Sequence, residues 1–82
     1  RRLVPREQRT ERLVACADVL RSRAVVQLKD VAFATRLSLH DAAEFTRDPI
    51  VRDSLARMLG ARRVEYTRSK RHLGSDRIAA VF

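Results

Sequence analysis

Asp48-Pro49-Ile50-Val51-Arg52-Asp53-Ser54-Leu55-Ala56-Arg57-Met58-Leu59-Gly60 is the stretch that decides the fold. An aspartate can accept the orphan N–H bonds of a helix start, and a proline fits the first helical position, where a missing N–H costs nothing. Val51, Leu55, Met58 and Leu59 then recur at helical spacing on one face. Gly60 can adopt the left-handed conformation that closes a helix. The spacing therefore predicts a helix over Pro49–Leu59 whose exposed side carries Arg52, Asp53, Ala56 and Arg57.

Upstream, Ser38-Leu39-His40-Asp41 reads as a second helix start, with Ser38 as cap and Asp41 at the third position. A short helix over Leu39–Phe45 would meet the Pro49 helix at a tight turn near Thr46-Arg47, the arrangement of a helix-turn-helix. Before it, Gln27 to Leu37 reads as a helix with Leu28, Val31 and Ala32 inward, and Ala24-Val25-Val26 as a short extended piece. Pro5 is placed to open a first helix, on which Leu13, Cys16 or Ala17, Leu20 and Ala24 form an apolar stripe.

After Gly60 the period changes from helical to alternating. Arg63 to Arg68 puts Val64 and Tyr66 on one face, as a half-buried strand does, and β-branched and aromatic residues favour that state. Arg77 to Phe82 can pair with it, with Ile78, Ala80 and Phe82 on one face. The residues between, Ser69 to Asp76, hold turn formers and a basic cluster, so the hairpin reads as a wing with a basic tip. The fold class expected is mainly α with a C-terminal β-hairpin, a small winged helix-turn-helix domain.

The chain has 82 residues and 45% apolar content, enough for one domain over residues 1–82. Aromatics are few (5%), so aliphatic side chains must fill the core. A first residue of Arg1 in place of Met suggests a segment of a longer chain. No apolar run approaches the ~20 residues of a membrane span. The single Cys16 permits no internal disulfide and suits an intracellular setting, cytoplasm, nucleoid or nucleus. On an apolar helix face it reads as a small core residue.

Net charge is +8, unevenly spread. Residues 1–23 hold seven basic and three acidic residues, residues 24–59 five of each, and residues 60–82 six basic and two acidic. Basic ends around a neutral middle attract polyanions, nucleic acid first. Catalytic signatures are missing: Gly60 and Gly74 are isolated and make no phosphate loop, and one Cys with two distant His makes no metal set. His72 near Ser69 and Asp76 could be drawn as a triad, but a basic loop offers no burial to tune it. The expectation is no enzyme and no cofactor.

Two short stretches resemble known families. Leu37 to Phe45 resembles the opening of the excisionase- and MerR-type DNA-binding helix pair. That resemblance implies a turn, a recognition helix at Pro49–Leu59 and a basic wing, although Thr46-Arg47-Asp48-Pro49 stands where a Gly-containing turn is usual. Val25 to Phe33 is similar to the winged-helix part of PCI-like domains, including DDRGK-type proteins, which mostly bind proteins; the long insert before the hairpin departs from that family. Double-stranded DNA binding without catalysis is the leading expectation, with transcription regulation as its setting. Arg52 and Arg57 would face the major groove, Arg68, Lys70 and Arg71 would hold the backbone or minor groove, and Arg62 and Arg63 would add phosphate contacts. The alternatives are a winged-helix protein-interaction module, touching its partner through Phe33, Leu37 and Leu73, and an RNA-binding ribonucleoprotein component.

Overall fold

A computed structural model describes residues 6–82. The elements are α1 (Arg6–Ser22), β1 (Val25–Gln27), α2 (Leu28–Thr35), α3 (Leu39–Arg47), α4 (Pro49–Leu59), β2 (Arg63–Thr67), a 3-10 turn (Leu73–Ser75) and β3 (Arg77–Val81). The proposed opening role of Pro5 lies outside the described residues.

The helix punctuation follows side-chain chemistry. Ser38 Oγ accepts the Asp41 N–H at 3.1 Å and starts α3, while Asp48 Oδ1 accepts the Ile50 N–H at 2.9 Å and starts α4. Gly60 closes α4 with φ 69°, its N–H turned back to the Ala56 and Arg57 carbonyls. α2 ends in the same left-handed way but on Arg36, φ 58°, a conformation that non-glycine residues adopt at a cost. That stop falls two residues short of Leu37, the end expected from the apolar pattern.

The tight connection expected near Thr46-Arg47 falls one residue later. Both residues belong to α3, and Asp48 alone separates α3 from α4. Pro49 explains the break: it offers no N–H to continue the helix and drives the residue before it to extended backbone, φ −65° and ψ 121° at Asp48. The three-residue connection is instead Arg36–Ser38, between α2 and α3. The α4 phase also shifts: Ala56 is buried, not on the solvent side.

β3 lies in the middle of an antiparallel sheet ordered β1-β3-β2. Val26 pairs with Ile78 on one side, and Tyr66 with Ile78 and Val64 with Ala80 on the other. The short extended piece thus completes the sheet as an edge, and the order helix, strand, three helices, hairpin is winged-helix-like. Val26, Val64, Ile78 and Ala80 face inward and Tyr66 is half-buried. Phe82, expected on that inner face, falls beyond the end of β3 and is exposed, as is Ala24 beyond the end of α1.

α1 and α4 run parallel, since their starts meet at the Arg9–Asp48 ion pair (3.7 Å) and their ends at Arg21 Nη2 donating to the Met58 carbonyl (3.1 Å). Between helices and sheet, Leu20, Leu28, Val31, Val51, Leu55 and Ile78 make an aliphatic core, with Leu59 packed at its margin. Cys16 is sealed within it, and burial pushes its thiol up to about 12, so it is an apolar filler and no nucleophile. Truncating Leu55 to Ala is expected to cost ~2–5 kcal/mol in urea unfolding, since a fully buried leucine loses both transfer energy and packing.

Candidate functional site

The polar centre of the hairpin is Asp76, a residue whose sequence neighbours mark it only as part of a turn. It is buried at 2% exposure. Its Oδ2 accepts the Tyr66 hydroxyl at 2.5 Å and Arg47 Nη2 at 3.3 Å, and its Oδ1 accepts the Ser69 N–H at 2.7 Å. Its own carbonyl accepts the Leu28 N–H at 2.7 Å, where Gln27 supplies no side-chain cap. Arg47 also lies over the Tyr66 ring, 4.9 Å from its centroid. The carboxylate therefore fastens β2, the loop after it and α3 together, and the backbone carbonyl of the same residue holds the start of α2.

The titration behaviour follows from that contact set. Burial works to raise the Asp76 carboxyl, but hydrogen bonds from Tyr66, the Ser69 amide and Arg47 outweigh it, and the net shift is downward. Tyr66 is pushed up to about 12, by burial first and by its bond to Asp76 second.

This anchoring changes the wing. Residues 68–76 do not project as a free tip; the 3-10 turn packs against α2 and α3. Arg68, Lys70 and Arg71 remain exposed on its outer side, and the Arg71 N–H is held by Ser69 Oγ at 3.0 Å. Arg57, Arg62 and Arg63 are exposed at the other end of β2. Arg62 Nε donates to the Phe82 carbonyl at 2.7 Å, and Arg63 pairs with Glu65 at 2.7 Å. At ~3.3 Å per strand residue the two groups stand roughly 16 Å apart. The structure thus divides six of the seven candidate cations into two clusters.

The seventh, Arg52, joins neither. It is half-buried, and its Nη2 donates to the Arg47 carbonyl at 3.2 Å, closing the end of α3. Reaching a base edge would cost that bond. On α3, which follows the three-residue turn, the exposed side chains include Leu39, His40 and Asp41. Its one arginine, Arg47, is engaged with Asp76 and Tyr66.

His72 does not converge with Ser69 and Asp76. Its Nε2 faces Ser75 Oγ at 3.1 Å, while Asp76 is turned to Tyr66 and Arg47. Among the described residues no cluster of three His, Cys, Asp or Glu is placed to hold a metal, and no helix is long and apolar enough to cross a membrane.

The exposed apolar residues form the other notable surface. Phe33 is 89% exposed in the middle of α2, and Ile50 on α4 is 68% exposed. Leu37 and Leu73, expected beside Phe33 as partner contacts, are half-buried against the core. Comparison with protein-family models, with curated proteins and with solved structures finds no match to this chain.

The Asp76 carboxyl titrates below its unfolded value of about 3.9, so its contribution is complete above that pH and is lost as pH falls through the folded value. Asp76→Asn is expected to destabilise the domain by ~1–3 kcal/mol at pH 7, the scale of a charge-assisted hydrogen bond. The gap to wild type should narrow in urea titrations carried progressively below pH 4.

Proposed function

We propose that this domain is a non-catalytic winged-helix docking module that binds a partner protein. The observation that carries the reading is Phe33. A phenylalanine at 89% exposure contributes almost nothing to the core, yet it occupies mid-helix, where alanine would be the better helix former. Buried aromatics are common anchors of protein interfaces. The helix that follows the three-residue turn presents Leu39, His40 and Asp41, a surface better suited to a protein than to a phosphate backbone. The resemblance of Val25 to Phe33 to PCI-like winged helices points the same way.

Duplex DNA is the second reading, favoured by the two exposed basic clusters at the ends of β2. Arg52 is half-buried and tied to the Arg47 carbonyl, which leaves exposed Arg57 as the candidate for a base contact; the remaining exposed cations would make phosphate contacts, which position a protein without specifying sequence. Replacing Lys70 and Arg71 by Ala would then lower the salt slope by about 0.9 for each phosphate that is no longer neutralised.

The two readings separate in one experiment. The protein with its native flanks, captured from cells with and without nuclease treatment, should retain a co-purifying polypeptide after nuclease and lose it on Phe33→Ala. A co-purifying set that vanishes with nuclease, together with salt-dependent duplex binding by the purified protein, would replace docking with the DNA reading.

A further inference from the structure

We infer that the free edge of β2 receives an extended acidic segment of another protein as a fourth strand. The site does not involve Phe33 and goes beyond the docking reading above. The sheet order β1-β3-β2 leaves β2 with one neighbouring strand. The Ala80 N–H donates to the Ala24 carbonyl at 2.9 Å, and the Asp76 carbonyl accepts the Leu28 N–H at 2.7 Å. Even-numbered residues of β3 therefore turn their backbone groups toward β1, and Arg77, Ala79 and Val81 turn theirs toward β2. Those three lie opposite Thr67, Glu65 and Arg63. By alternation, Val64 and Tyr66 direct their backbone N–H and C=O away from the sheet. The Val64 side chain is buried and that of Tyr66 half-buried, so both residues are held in place while their backbones face outward. No backbone bond outside the sheet reaches them among the described residues. The 3-10 turn of the following loop packs on α2 and α3 and does not pair with this edge. An antiparallel strand laid here would exchange four backbone hydrogen bonds, two with each residue.

The charges at the two ends of the strand select the occupant. Exposed Arg57, Arg62 and Arg63 stand at one end, and exposed Arg68, Lys70 and Arg71 at the other, roughly 16 Å away at ~3.3 Å per strand residue. Arg63 is paired with Glu65, but Arg57, Arg68, Lys70 and Arg71 enter no ion pair among the described residues. Such flanks guard an edge against its own kind. Antiparallel pairing of two copies through β2 would set the basic clusters of one against those of the other, with a net +8 on each chain. An acidic strand meets the opposite situation. Carboxylates about five residues apart would reach both clusters while the backbone between them fills the edge. Duplex DNA offers charge to the same cations but no alternating N–H and C=O groups to β2. A site of this size suits a weak, reversible contact.

The probe is a capped peptide in which a short run of alternating valine and threonine, good strand formers, lies between two pairs of glutamates. One control carries lysines for the glutamates; a second carries prolines for the valines and cannot complete a strand. Titrated into the ¹⁵N-labelled protein, the glutamate peptide should shift the amides of residues 62–68 saturably and slow hydrogen exchange at Val64 and Tyr66. Both controls should bind at least tenfold more weakly. Lys70→Glu combined with Arg71→Glu should weaken the glutamate peptide by tenfold or more with the unfolding midpoint unchanged, since both side chains are exposed. Phe33→Ala should leave its binding unaltered. Equal binding of the proline control would reduce the contact to charge alone and overturn the assignment. So would equal binding of the lysine control, no binding, or duplex DNA shifting the basic residues while the peptide leaves exchange at Val64 and Tyr66 unchanged. If the peptide fails while a nuclease-resistant, Phe33-dependent polypeptide is captured, the docking reading stands and the strand assignment alone fails. If the peptide binds as described and that capture fails, the strand assignment stands alone.

Discussion

A single buried carboxylate organises the C-terminal half of this domain. Asp76 gathers a phenol, a guanidinium and a backbone amide around its two oxygens, and its carbonyl accepts the Leu28 N–H at the start of α2. A buried charge without partners would be expensive, but here the desolvation is offset by three hydrogen bonds and an opposite charge. The consequence is geometric. The loop after β2 cannot swing free without breaking its bonds to β2 and α3 together, so the hairpin folds down against the helices.

That constraint shapes what the surface can offer. Arg47 is drawn onto Tyr66 and Asp76, and its carbonyl in turn receives Arg52. Two arginines of the helical region are thereby turned to internal work. The exposed cations lie on and just after α1, at both ends of β2 and at Lys29 and Arg36, and the large exposed apolar side chains lie on the helices and at the sheet margin. A fold of winged-helix order thus presents a basic rim and an aromatic knob as separate features.

Much of the architecture was legible because it is written in local chemistry. Ser38, Asp48, Pro49 and Gly60 each satisfy or terminate helix backbone groups within three or four residues, and the Val64–Tyr66 alternation needs only a half-buried sheet. The lengths of the connections were not legible. Pro49 announces a break, but nothing local says that a single residue suffices there, or that Arg36 takes a left-handed conformation usually left to glycine. The site was less legible still. Asp76 meets Arg47 across 29 residues and Tyr66 across ten, separations at which spacing carries no signal. Its position after Gly74-Ser75 gives it the look of turn chemistry. The exposed arginines were readable by type, but the one that folds inward, Arg52, was distinguishable only through tertiary contact.

The claim that Asp76 pins the hairpin loop is tested most directly by amide exchange at Ser69. That residue lies outside both strands, and in a free wing its N–H would exchange at the rate of an unprotected loop. Bonded to Asp76 Oδ1 at 2.7 Å, it should be protected to an extent comparable with the β2 and β3 amides and should open with them. Exchange at the unprotected rate, in a domain whose strands remain protected, would contradict the account.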